Sequence, residues 1–151
     1  CQAECGSASG MAAAGLVQLH GGDFRQALGA ASLALQNSFG MTCDPVANRV
    51  EAPCLGKNIM AAANALSCAN MALAGYDHLI PLDEVLPAFD QVGRSLPREL
   101  RCTALGGLSV TKTSKQIASP TDTPPTSTAG VAAPGVYSRW MRSTRSGASR
   151  R

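Results

Sequence analysis

"IMAAANALSCANMALAG", residues 59–75, is the most apolar run of this chain, and its reading decides the fold. A membrane span needs about 20 predominantly apolar residues. This run is shorter, and Asn64, Ser67 and Asn70 interrupt it at every third position. That spacing lays one polar stripe along a helix. The run is therefore expected as a packed helix, from about Lys57 to Ala74 and ended by Gly75, with no membrane span. Its alanine-sized side chains let a neighbouring backbone approach closely.

Working outward, residues 7–20, "SASGMAAAGLVQLH", carry helix-forming alanines with an apolar set at Met11, Gly15, Leu16 and Leu19, and stop at Gly21-Gly22. Asp23 is a good N-cap for "FRQALGAASLALQNSF", where Phe24, Ala27, Leu28, Ala31, Leu35 and Phe39 follow the helical period up to Gly40. The loop 41–56 carries Cys43 and Cys54, and Pro45 and Pro53 keep it from becoming helix. Downstream, "IPLDEVLPAFDQVGRSL" predicts a helix entered through Pro81, with Asp83 and Glu84 in the first turn and Pro97 at its end. "RCTALGGLSV" predicts a short irregular connection. With no alternating pattern of useful length, the fold class is all-α: small-residue helices around a cysteine-bearing loop.

Composition changes near residue 118. "SPTDTPPTSTAGVAAPG" has almost no large apolar side chains and cannot offset the entropy of ordering its backbone. Residues 1–118 are read as the domain and 119–151 as a disordered tail. Five of the 13 Lys and Arg lie in that tail, leaving 8 basic and 9 acidic side chains in the domain. The domain's net charge is then about −1, and the five arginines of "YSRWMRSTRSGASRR" are weak evidence for a nucleic-acid or membrane patch, so neither partner is expected. The chain opens on Cys1 without a secretory pattern, which reads as a piece or processed product of a larger protein. Cys68 sits mid-helix among alanines and Cys5 in an Ala/Gly/Ser-rich segment, where a free thiol behaves as a small buried hydrophobe. A reduced, cytoplasmic setting follows.

"MTCDPVANRVEAPC", residues 41–54, holds two thiols eleven apart with a proline beside each, and neither matches a C-x-x-C motif. Spacing alone leaves three readings of Cys1, Cys43 and Cys54 open. They are structural free thiols, a zinc site wanting a fourth N or S ligand, or three ligands of an iron–sulfur cluster with one iron left free. His20 and His78 are expected as plain surface residues.

"CQAE", "GSASGMAAAGL", "GMTCDPVANRVEAPCLGKN", "ANMALAG" and "ALGGL" occur in that order over residues 1–117. In this the chain resembles the iron–sulfur L-serine dehydratases, in the C-terminal half of their α-chain domain. The resemblance implies that Cys1, Cys43 and Cys54 ligate a catalytic 4Fe-4S cluster. It implies deamination of L-serine to pyruvate and ammonia, the open iron acting as a Lewis acid on the hydroxyl while a base removes the α-proton. It further implies a missing N-terminal part of the enzyme as partner, and a homo-oligomer when complete.

The sequence also departs from that family. Its β domain and the first half of its α domain are absent, and Asp44 and Glu51, which lie near the thiols, are expected as loop-ordering carboxylates rather than a general base. Some members carry a further cysteine after the GGL; here Ser114 stands near that place. Cys5, Cys68 and Cys102 are read as structural. The alternative function is a non-catalytic iron–sulfur or zinc-binding helical module.

Overall fold

The computed structural model describes residues 1–119, and the expected disorder of the tail falls, beyond Ser119, outside them. Five α-helices occur among the described residues: α1 Ser7–Leu19, α2 Phe24–Gln36, α3 Cys54–Leu73, α4 Leu82–Ser95 and α5 Lys112–Ala118. There is no strand among them, only an isolated parallel bridge between Cys43 and Arg101. The all-α expectation holds.

Helix α2 starts as Asp23 predicts. Its carboxylate accepts from the Gln26 N–H at 2.8 Å, and the Gln26 side chain accepts from the Asp23 N–H at 2.9 Å, a reciprocal capping box. Gln26 also donates to the Ala72 carbonyl, tying the start of α2 to the end of α3. In α4, Asp83 and Glu84 occupy the first turn and Arg94 the last, as the helix dipole favours. Pro87 lies one turn inside α4 on its exposed side, where the missing N–H forfeits a backbone bond without ending the helix. Helix α5, capped by the Thr111 hydroxyl, follows the irregular connection and closes the domain, in a stretch to which the sequence assigned no element.

Helices α1, α2 and α3 pack around Ala13, Val17, Ala27, Ala30, Leu33, Ala34, Ala65, Cys68, Ala69 and Ala72. A second, smaller cluster joins α2 to α4 through Leu35, Val85 and Phe89. Each buried methyl contributes only about 0.8 kcal/mol, so this interior depends on close approach and on hydrogen bonds between helices. Ser9 donates to the Ala61 carbonyl at 2.9 Å, and Asn64 donates to Ser9 Oγ and to the Ala34 carbonyl. The predicted polar stripe is thus divided: Asn64 knits α1, α2 and α3 together, while Ser67 and Asn70 face solvent.

The apolar set expected to bury α1 is a correction. Met11 and Leu19 are 76% and 82% exposed, and the buried residues are Ser9, Gly10, Ala13 and Val17. Helices that touch through alanines leave no room for longer side chains, so the small face turns inward and the large one outward. On α3 the small face packs inward as expected, with Ala61, Ala65, Cys68, Ala69 and Ala72 buried and Leu55, Ile59, Met60 and Leu66 exposed. Phe24 is likewise exposed on α2.

Candidate metal centre

Three segments bring the cysteines together. Cys1 precedes a π-helical turn, Gln2–Gly6, that runs into α1 and hangs from the Cys1 carbonyl, which accepts from the Cys5 and Gly6 N–H groups. Gln2 fixes this end in place. Its backbone N–H donates to the Met41 carbonyl, its side-chain oxygen accepts from the Gly40 N–H at 2.7 Å, and its amide donates to the Phe89 carbonyl at 2.6 Å. One buried side chain therefore spans α4, the N-terminal turn and the cysteine loop. Nothing in the sequence singled it out.

Cys43 lies in an extended stretch paired with residues 100–102. Its N–H donates to the Leu100 carbonyl and its carbonyl accepts from the Cys102 N–H, both at 2.8 Å. Below it, Lys57 of α3 donates to the Thr42 carbonyl and to Asp44 Oδ1. Asp44 Oδ2 accepts from the Leu108 N–H at 2.9 Å, and the Ser109 hydroxyl donates to the Pro45 carbonyl. Burial alone would raise the Asp44 carboxyl. The Leu108 N–H and the Lys57 hydrogen bond and charge outweigh it and hold the group below the usual carboxylate range. Asp44 thus orders the loop, while Glu51 is exposed.

Gly107 explains why the chain needs glycine in "ALGGL". It adopts φ +58°, and a Cβ there would come within 2.5 Å of Asp44 Oδ2.

Cys54 departs from its expected place in a loop. It is the first residue of α3, after Pro53, so the helix starts three residues earlier than the prolines suggested. Pro53 starts the helix here, because the first turn has no N–H bonds for a proline to remove. A helix N-terminus is a favourable place for an anionic ligand.

The result is convergence. The thiols of Cys1, Cys43 and Cys54, all half-buried, lie within 4.8 Å of one another. Cys5 and Cys68 are each 1% exposed and structural, as expected. Cys5 donates to the Asn58 side-chain oxygen, and burial pushes the Cys68 thiol up despite a hydrogen bond from Asn37. Cys102 is a correction to that structural set. It is exposed, and its backbone N–H donates to the Cys43 carbonyl. The histidines stand apart from the trio: His20 is exposed, whereas His78 is half-buried with its ring against Gly29, less superficial than expected. Ser114 is buried. A cavity of about 530 Å³ opens beside the trio, lined among others by Cys1, Cys43, Cys102, Asp90, Arg94 and Arg101.

Three soft sulfur donors this close together form a cysteine triad whose chemistry suits an iron–sulfur group or zinc. Comparison with known proteins makes the class specific. The serine dehydratase alpha chain family model matches residues 1–109. The chain is 49% identical over 117 residues to the probable L-serine dehydratase alpha chain of Bacillus subtilis, covering 78% of this chain and 39% of that protein. It is 50% identical to the L-serine dehydratase alpha chain of Peptoniphilus asaccharolyticus over 78% of this chain and 40% of that one. Against L-serine dehydratase 1 of Escherichia coli it is 39% identical over 73% of this chain and 24% of that one. This chain belongs to the serine dehydratase alpha chain family, and it spans about two fifths of the length of the first two of these relatives. No helix among the described residues is long and apolar enough to cross a membrane.

Proposed function

We propose that this chain is the cluster-bearing part of an L-serine dehydratase, an L-serine ammonia-lyase, with Cys1, Cys43 and Cys54 holding three irons of a 4Fe-4S cluster. The observation that carries this reading is the convergence of those three thiols in a chain of this family. The donor set fits the group: all three donors are soft sulfurs, and the trio leaves one iron without a ligand from among them. When bound, the cluster supplies a Lewis acid for the serine hydroxyl.

The protein's own groups do the rest of the positioning. Lys57 and Asp44 fix the direction of Cys43 from below, Gln2 fixes Cys1, and the start of α3 fixes Cys54. The adjoining cavity is the substrate site in this reading. Arg94 is paired with Asp90 at 2.7 Å, so Arg101 is the first candidate for the serine carboxylate. Asp44 is a poor general base, because both of its oxygens already accept hydrogen bonds from Lys57 and Leu108. The base for the α-proton is assigned to the remaining part of the enzyme.

Residues 1–118 are read as the C-terminal half of the α-chain domain. The remainder of the α domain and a β domain are the partners, in a homo-oligomeric enzyme of the cytoplasm. Two apolar surfaces support a missing partner: the exposed Leu55, Ile59 and Leu66 of α3, and a cavity of about 300 Å³ between α1, α2 and α4 lined by Met11, Leu28 and Leu86.

The test is anaerobic reconstitution with iron and sulfide, followed by metal and sulfide analysis and by an assay of pyruvate release from L-serine with the rest of the enzyme supplied in trans. Four irons and four sulfides per chain and activity in the combined sample are expected. Stoichiometric zinc in a colourless protein would replace this reading with a non-catalytic metal-binding module.

A further inference from the structure

Of the cysteines outside the trio, only Cys102 is exposed, so packing does not account for it. It adopts φ +64°, a left-handed conformation that costs a non-glycine residue of order 1 kcal/mol. Backbone bonds pin it on Cys43: the Cys43 N–H to the Leu100 carbonyl and the Cys102 N–H to the Cys43 carbonyl, both 2.8 Å. Residues joined by such a bond lie inside the roughly 4–7 Å Cα separation that a disulfide needs, and both side chains line the same cavity.

We propose that Cys43 and Cys102 form a reversible disulfide when the metal centre is empty, making Cys102 an oxidative-modification partner of a ligand cysteine. With hydrogen peroxide as oxidant, one thiolate attacks the O–O bond and becomes a sulfenic acid as hydroxide leaves and takes up a proton to give water. The second thiolate attacks that sulfur and displaces a second hydroxide, likewise protonated to water. Two electrons pass from the sulfur pair to one peroxide. A metal group on Cys43 keeps its sulfur engaged, so the disulfide closes only once the group is lost. The bond removes a free thiol from the path to sulfinic acid, which thiols do not reverse. A reducing dithiol returns both groups, and the site can be refilled. The bond forms in the metal-free chain, so its test stands whether or not the trio binds a cluster.

The sequence makes the test clean. Trypsin places Cys43 in peptide 26–49, Cys54 in 50–57 and Cys102 in 102–112, with no other cysteine in any of the three. The metal-free 151-residue chain is treated anaerobically with one equivalent of hydrogen peroxide, alkylated, digested and analysed by mass spectrometry. The expected result is loss of two thiols per chain, with 26–49 joined to 102–112 as the main linkage and both thiols restored by dithiothreitol. A main linkage of 26–49 to 50–57, or to the peptide holding Cys1 and Cys5, would overturn the proposal, as would full alkylation of Cys102. Under excess peroxide, Cys102→Ser should lower the dithiothreitol-recoverable fraction of Cys43 several-fold. Equal recovery in the variant and the parent chain would also overturn it.

Discussion

The Asp44 carboxylate and the Lys57 ammonium meet at 2.9 Å beneath the cysteine loop, with side chains only 9% and 18% exposed. Through this pair, α3 holds the strand-like stretch that carries Cys43, and through the second Asp44 oxygen that stretch holds Leu108. Removing one partner leaves the other charge half-buried without its counterion. Lys57→Met is therefore expected to destabilise the fold by about 2 kcal/mol, read from the urea midpoint. Asp44→Ala should cost at least as much, since it also strands the Leu108 N–H. A change within about 0.5 kcal/mol for both would show that the pair is merely a surface contact.

Two glycine substitutions should move stability in opposite directions. Gly107→Ala forces a left-handed alanine and drives its Cβ into Asp44, and is expected to cost about 2 kcal/mol or more. Gly15 lies exposed in the middle of α1 with nothing within 4 Å of an added Cβ, so Gly15→Ala should stabilise by about 0.5–1 kcal/mol. Thermal unfolding of the two variants side by side checks the sign of each.

Anaerobic reconstitution should give a brown protein with broad thiolate-to-iron absorption in the visible. Cys1→Ala, Cys43→Ala and Cys54→Ala should each abolish it, while the Cys5→Ala, Cys68→Ala double variant should keep it. Loss of colour in the double variant alone would move the ligand assignment away from the convergent trio.

Burial raises the Cys68 thiol, which gives stability a defined dependence on pH. A folded-state value above the unfolded one, near about 8.5, means the contribution is complete below that pH and is lost as pH rises toward the folded value. Compared with Cys68→Ala, the parent chain should lose relative stability above about pH 8.5, by up to about 1.4 kcal/mol per unit. A pH-independent difference between the two unfolding curves would contradict the burial of this thiol.

The chain by itself is expected to release no pyruvate from L-serine, even with an intact cluster. Catalysis requires groups that bind the transition state from both sides, and this segment supplies one side, with no free carboxylate placed as a base among the described residues. Turnover by the unaccompanied chain would point first to Asp44, and Asp44→Asn would then be the variant to assay.

The sequence by itself determined what neighbouring residues control. Asp23 and Gln26 fix the start of α2, Pro81 and the acids after it fix the start of α4, and Gly75 ends α3, because caps and helical periods act over three or four positions. It also carried the family resemblance that picked out Cys1, Cys43 and Cys54. Tertiary structure decided which face of each helix went inside. On α1 and α3 both a small-residue stripe and a large apolar stripe have helical spacing, and periodicity cannot rank them. Close packing of three alanine-lined helices does. Only the fold could bring Gln2 onto Gly40 and Phe89, Asp44 onto Leu108, and Cys102 onto Cys43. Those partners lie 38 to 87 residues apart and meet through hydrogen bonds that leave no periodic trace in the chain.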